Sequence, residues 1–407
     1  MVITASGPHD EGITRGRYQG KNAIVKRRVS EHSARILMEP KKVRKRRATK
    51  SANIYDVGKR AGVSVFTVSA VINKTGQASV AMQRRVEAAV RELNYRPNLL
   101  ARSFAKQKTH LLGMIVTDIS NPFFPLVVRG AEDTAQKAGY SILLCNSDNQ
   151  KEKEENYLDL LVSKRVDGIL LTVAPGRVNP SVRRMLKDAK VPVVLVMRIA
   201  PDLQCDAVVT DDHRGAFEGV SHLARIGHRR IAFVSGPLEV SNGASRWKGY
   251  RKALQAHGLT YDPTLTIQGD YRIESGYRAG LAILPRRPDA VFVANYLMTV
   301  GLMQAADEMG MSCPEDYALA SFDDYPWLRY FRPRLTTIEL PKYDLGVRST
   351  EILLARISGK QSKPMIERLS TQLCVRESCG FIRTVEGSRT HIERPDFVNP
   401  ASDMPRS

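Results

Sequence analysis

From Ile54 the apolar residues fall at helical spacing in three short stretches, each preceded by a capping residue. Asn53 is placed to cap a helix whose apolar positions Ile54, Val57 and Ala61 lie one to two turns apart, and Gly62 permits the turn that follows. Ser64 caps a second helix that keeps Val68, Val71 and Ile72 on an inward face, leaving Val65, Phe66, Ser69 and Ala70 directed away from the core. Ser79 begins a third, with Val86, Ala89, Val90 and Leu93 as its buried stripe. Three helices in fewer than fifty residues, the first two joined by a turn of about four, predict a helix-turn-helix unit that fits a helix into the major groove. Pro97 stops the third helix, and the helix-forming segment after it is too short to be stable alone, so it is expected to order on DNA or a partner.

Residues 111 to about 383 alternate apolar runs with amphipathic helical stretches. The runs are Leu111–Val116, Ser141–Cys145, Val166–Leu171, Val191–Val196, Arg230–Val234, Ala290–Ala294 and Tyr317–Phe322. Strands this short, rich in Val, Ile and Leu and separated by helices, predict parallel sheets covered on both faces. Roughly 270 residues of this pattern is large for one sheet, so two similar lobes are expected. Residues 1–50 and 384–407 show no sustained apolar period and are expected to be disordered. The plan is thus a basic extension (1–50), a helix-turn-helix domain (51–96), a hinge (97–110), a two-lobed domain (111–383) and a tail (384–407).

Charge sharpens this plan. Residues 1–110 hold 24 Lys+Arg against 7 Asp+Glu, a surplus of 17 out of the chain's +20, and the remaining residues carry only +3. A basic end on a near-neutral body is the footprint of a chain that meets a phosphate backbone. The first fifty residues read either as a non-specific DNA arm or as an extension from an upstream start codon, with Met38 as the beginning. No run of about 18 apolar residues occurs and Met1–Ser6 lacks the order of a secretory signal, so no membrane association and a cytoplasmic, nucleoid-associated protein are expected. The five cysteines (Cys145, Cys205, Cys313, Cys374, Cys379) are scattered without a Cys-x-x-Cys pair and are read as reduced thiols, with no metal and no cofactor.

Several segments carry a resemblance. Ile54-Tyr55-Asp56-Val57, Ala61-Gly62-Val63-Ser64 and Thr67-Val68-Ser69-Ala70-Val71-Ile72-Asn73 are similar to the DNA-binding signature of the lactose and galactose repressor family. Tyr95-Arg96-Pro97-Asn98 and Ala101-Arg102-Ser103 resemble its hinge. Asp118 to Phe124, Gly227 to Ile231, Gly236-Pro237, Phe322-Asp323-Asp324 and Leu335 to Ile338 resemble its effector-domain landmarks. The resemblance covers about Asn53 to Phe381, and its order and spacing are specific. It implies an α/β fold: a small all-α helix-turn-helix domain plus a two-lobed effector domain, like a periplasmic binding protein, of doubly wound parallel sheets. By this similarity the first lobe holds residues 111–209 plus a helix near 343–360, and the second holds most of 210–340 plus the last strands.

The resemblance also implies a homodimer, or a higher assembly, that reads a pseudo-palindromic operator and responds to a small carbohydrate-like effector. Thr67, Ser69 and Asn73 are suited to phosphate contact, and Val65 and Phe66 to base edges. Ala70 stands where the family commonly has a guanine-reading arginine, so the operator cannot be copied from other members. Tyr95, Arg96, Asn98, Ala101 and Arg102 fall in the hinge, where Phe104 occupies the position of a wedge that unstacks a base step. In the sensor, Asp118 opens the first landmark. Phe123 and Phe124 would pack on one face of the ligand and Tyr271 on the other, with Arg198, Asn242, Arg246, Asn295 and Asp323 as polar contacts. Met197 and Tyr296 stand where the family commonly has aspartates. Within the broader expectation of a sugar, sugar acid or sugar phosphate, two fewer carboxylates beside Arg198 and Arg246 predict a cationic pocket and an anionic effector such as a sugar acid or sugar phosphate, held in part by a bidentate contact from Arg246.

Two other classes fit less well. No Gly-x-Gly-x-x-Gly after a strand, phosphate loop, Gly-x-Ser-x-Gly or His-Glu-x-x-His is present to support an enzyme. A periplasmic transport receptor would carry a signal peptide and lack the helix-turn-helix.

Overall fold

The computed structural model describes residues 52–73, 75, 78–95, 108–360 and 363–380, and resolves two compact units that part at Pro97.

The first unit is three helices. α1 (Ile54–Ala61) is closed at its start by a reciprocal capping box between Asn53 and Asp56, and at its end by Gly62 in the left-handed region at φ 64°. The Ser64 hydroxyl accepts from the Thr67 amide (3.1 Å) and so starts α2 (Val65–Asn73), and Ser79 does the same for α3 (Val80–Glu92). Val57, Ala61, Val68, Val86 and Ala89 form the buried centre, with Ile54, Val71, Ile72, Val90 and Leu93 packed around it. An exposed Arg60–Glu92 pair at 2.8 Å ties α1 to α3.

The second unit holds two six-stranded sheets. The first lobe has β1 (Leu111–Val116), β2 (Ser141–Asn146), β3 (Gly168–Leu171), β4 (Val193–Val196), β5 (Asp206–Thr210) and β11 (Ile366–Leu369), in the order β11-β5-β4-β3-β1-β2 and all parallel. The second lobe has β6 (Ile231–Ser235), β7 (Thr266–Gln268), β8 (Ala290–Val293), β9 (Ala318–Phe322), β10 (Thr336–Glu339) and β12 (Gln372–Cys374), in the order β12-β10-β9-β8-β6-β7. Only β12, on β10, runs antiparallel. The apolar runs of the sequence all become strands. The expectation that the last strands belong to the second lobe needs correction, because β11 pairs with β5 of the first sheet and the chain recrosses to place β12 on the second.

Helices cover both sheets, as buried parallel strands require. They are α4 (Phe123–Lys137), α5 (Lys151–Ser163), α6 (Pro180–Ala189), α7 (Asp212–Arg225), α8 (Ser241–Ala256), α9 (Ile273–Ile283), α10 (Tyr296–Glu308) and α11 (Lys342–Ile357). Among the described residues no helix is long and apolar enough to cross a membrane. Strand order reverses beside β1 in one lobe and β6 in the other, which places a crevice outside the carboxyl ends of the strands.

Candidate functional site

On the helical unit α2 presents Phe66, 84% exposed, with Val65, Thr67, Ser69 and Ala70 half-buried around it. An aromatic ring left in water at the start of a helix is stabilised by nothing within this unit, and it is free to meet a partner surface. The Thr67 hydroxyl lies 2.9 Å from that of Ser64, so it is held in place by the cap. The ring of Tyr95 packs half-buried against the three-helix core, and its amide donates to the Val90 carbonyl. Exposed Tyr55, at the start of α1, is a further surface group that the sequence reading did not single out. The side chain of Asn73 and the hinge residues Arg96, Asn98, Ala101, Arg102 and Phe104 lie outside the described residues.

In the second unit a cleft opens between the lobes at the carboxyl ends of the strands. It encloses about 520 Å³ between atoms, open solvent at its mouth included. Asp118, Phe123, Phe124, Arg198, Asn242, Arg246, Tyr271, Asn295 and Asp323 all line it. The lobes touch across it, where the Ile199 amide of the first donates to Ser241 Oγ of the second at 2.8 Å. Four non-glycine residues of the lining, Asn149, Met197, Tyr271 and Asp323, sit in the left-handed region at φ 62°, 67°, 70° and 76°. Each costs roughly 1–3 kcal/mol, and such strain gathers where a site over-determines the backbone.

The apolar floor is Phe123 and Phe124, packed edge to face at 5.3 Å and buried. Tyr271 lies over Gly236: a Cβ there would come within 2.1 Å of the ring, so the loop after β6 must be glycine for the ring to reach its position.

The polar groups divide into those already engaged and those that are not. Arg246, 1% exposed, donates from Nε to Asp212 Oδ1 at 2.7 Å, with Nη2 equally close to that oxygen and Nη1 donating to the Ala294 carbonyl. Its guanidinium lies 3.9 Å above the Phe322 ring. Burial raises the Asp212 carboxyl above its ordinary range, opposed by the Arg246 charge. Asn295 caps α10 with Oδ1, which accepts from the Met298 amide, and donates from Nδ2 to the Tyr271 carbonyl. Asn295 lines the cleft, and its amide also holds the backbone of Tyr271. Asp118 Oδ1 is taken by Ser120.

Arg198 donates from Nη1 only to neutral acceptors, Asn149 Oδ1 and the Val173 carbonyl, both at 2.8 Å, and burial pushes its guanidinium below the usual value. Arg198 Nε, both amide atoms of Asn242, the Tyr271 hydroxyl and Asp323 Oδ1 are buried without a hydrogen-bond partner. Buried polar atoms left this way cost about 1–3 kcal/mol each, and five of them gather at this one cleft with unused hydrogen-bonding capacity.

The expectation of a cationic pocket is corrected by the charges present. Asp118, Asp270 and Asp323 line the cleft beside Arg198, Arg246 and Arg272, and Asp212 neutralises Arg246 from behind. Asp212, Asp270, Arg272, Asn121 and Asn149 were not singled out by the sequence reading, although each stands in a loop or helix start after a strand, where α/β sheets place their ligands.

Comparison with known proteins finds relatives for both units. The family model for bacterial regulatory proteins of the lacI family matches residues 53–98, and that for the periplasmic binding protein-like domain matches residues 220–379. The ribose operon repressor of Escherichia coli (strain K12) is 36% identical over 324 residues, covering 79% of this chain and 97% of that protein. A solved lac repressor dimer bound to operator and the anti-inducer ONPF superposes with a TM-score of 0.73 at 27% identity, covering 81% of this chain and 99% of that one. A LacI family transcriptional regulator from Enterococcus faecium, solved with bound ribose, gives a TM-score of 0.60 at 31% identity, covering 66% and 98%. With a matched helix-turn-helix, a matched sensor domain and a repressor relative aligned over nearly its whole length, this chain belongs to the lacI family of bacterial regulatory proteins, DNA-binding transcriptional repressors rather than enzymes.

Proposed function

We propose that the protein binds a pseudo-palindromic operator as a homodimer, and that a neutral polyhydroxylated molecule, a monosaccharide of the ribose kind, controls this binding from the interlobe cleft. Residues 51–96 bind DNA, with Val65, Phe66, Thr67, Ser69, Ala70 and Asn73 at the major groove. Residues 97–110 serve as a hinge whose Phe104 wedges into the duplex. Residues 111–383 hold the effector and the dimer contacts, and residues 1–50 and 384–407 flank these parts. Acting on DNA, the protein works in the cytoplasm at the nucleoid.

The observation that carries the effector reading is the set of unpartnered buried atoms. Arg198 Nε donates, Asp323 Oδ1 accepts, and the Asn242 amide and the Tyr271 hydroxyl do both. A sugar hydroxyl also donates and accepts, and so it matches this mixture. A carboxylate or phosphate group only accepts, and it would meet Asp118, Asp270 and Asp323 as well as Arg198, Arg246 and Arg272, with no net positive charge to draw it in. This favours a neutral sugar over the sugar acid or sugar phosphate that the missing aspartates alone suggested. The dimer reading rests on exposed large apolar side chains in both lobes: Leu126 and Tyr343 on the packed pair α4 and α11, and Trp327 and Tyr330 after β9. Lobe closure on the effector would change contacts between subunits and so couple the two binding sites.

Thermal unfolding against ribose and other neutral monosaccharides, sugar acids, sugar phosphates and purines tests the effector. A ligand at about 100 times its dissociation constant adds about 2.7 kcal/mol to the native state and raises the midpoint. A rise with neutral sugars is expected. A rise confined to acids, phosphates or purines would overturn this assignment.

A further inference from the structure

A second basic surface lies on the first lobe, at the end of the sheet opposite the cleft. It is a groove at the amino-terminal ends of β1, β3 and β4, floored by Val162, Val166, Leu186, Val191, Pro192 and Ile357. Exposed Lys108, Arg165, Lys187 and Lys190 rim it. Two other charges are accounted for within the fold. Arg356 forms a bidentate pair with Asp206 at 2.5 and 2.9 Å. Asp167, the one acid of the lining, accepts from the amides of Thr109 and His110 and from the Thr109 hydroxyl. Among the described residues Lys108, Lys187 and Lys190 form no ion pair, so the rim carries surplus positive charge.

We propose that this groove is an auxiliary contact surface for the phosphate backbone of operator DNA. Two observations carry the inference. The rim is charge-complementary to phosphate, and lysines on flexible stems suit point contacts to a backbone without sequence preference. The described residues of the sensor domain also begin at the groove itself: Lys108, on its rim, is ten residues along the chain from Asn98, where the matched DNA-binding segment ends. Ten residues span at most about 36 Å fully extended, a little over one turn of duplex, so the groove is tethered within reach of the DNA that the helix-turn-helix holds. The surface would raise affinity without choosing sequence. This rests on the operator-binding reading above.

The test uses the full-length protein and a labelled duplex bearing the operator recovered by selection from random DNA, with dissociation constants measured between about 50 and 200 mM salt. Each phosphate neutralised contributes about 0.9 to the slope of log affinity on log salt. In the homodimer the pair Lys187→Gln with Lys190→Gln removes four positive charges and should make the slope shallower by about 2–4. It should also weaken binding severalfold at the lowest salt while leaving the effector-induced rise in melting midpoint intact. The pair Lys248→Gln with Lys252→Gln, exposed on α8 of the second lobe, makes the same change in net charge and should leave the slope as in the parent. A parent-like slope in the first pair, or an equal loss in both pairs, overturns the proposal. Failure of the unaltered protein to bind the duplex would instead sink the operator-binding reading itself.

Discussion

Arg246→Ala should lower the thermal midpoint of the sensor domain by roughly 6–20 °C. The substitution leaves Asp212, 3% exposed, with Thr210 Oγ1 at 3.1 Å as its remaining side-chain partner. Removing one partner of a buried pair costs about 3–5 kcal/mol, and each kcal/mol shifts the midpoint of a domain this size by about 2–4 °C. The sign of the pH dependence follows. Burial already raises the Asp212 carboxyl, and without Arg246 to oppose it the folded-state value rises further above the unfolded one. A group bound to its proton more tightly when folded stabilises at low pH and loses that stabilisation as pH rises through the folded value. The deficit of Arg246→Ala should therefore shrink as pH falls toward the carboxylate range. Arg246→Met combined with Asp212→Leu, which removes both charges, should recover much of the loss. A single variant that melts like the parent would contradict the pairing. The substitution is thus a poor probe of effector contact, since any loss of binding would be mixed with loss of fold.

Asn242→Ala is the better probe. Both polar atoms of its amide are buried and unpartnered, so truncation removes no hydrogen bond from the unliganded protein, and the midpoint without ligand should hold or rise slightly. With ligand the same truncation leaves one or two effector hydroxyls unpaired, and affinity measured by calorimetry should fall about 10–100-fold. Unchanged affinity would mean that the amide does not face the effector.

How much of this was legible in the sequence depended on distance along the chain. The helix-turn-helix was read nearly whole because its signals are local: caps at Asn53, Ser64 and Ser79, a left-handed Gly62, and apolar residues one turn apart. The long apolar strands were equally clear. β7, three residues at a sheet edge and only partly buried, and β11, alternating exposed and half-buried positions, lack such a run. Their place is set by pairing with distant strands, and this is why β11 was assigned to the wrong lobe. The cleft shows the same limit. Its lining follows from family landmarks, but its charge does not. The two missing aspartates were visible at Met197 and Tyr296, whereas Asp212 lies 34 residues from Arg246 and meets it only because β5 ends and α8 begins at the same crevice. The Asn295 cap was within reach of local reasoning, since an Asn before the apolar start of a helix is more often a cap than a ligand.

The central claim is that the cleft and the DNA-binding helices are linked through one protein. It is tested most directly by measuring operator affinity of the full-length protein with and without the monosaccharide that gives the largest thermal shift, then effector affinity with and without operator. The account predicts a change of about 5–150-fold in the first measurement and the same factor, in the same direction, in the second, as reciprocal linkage demands. A sugar that binds the cleft tightly while operator affinity stays the same would contradict it.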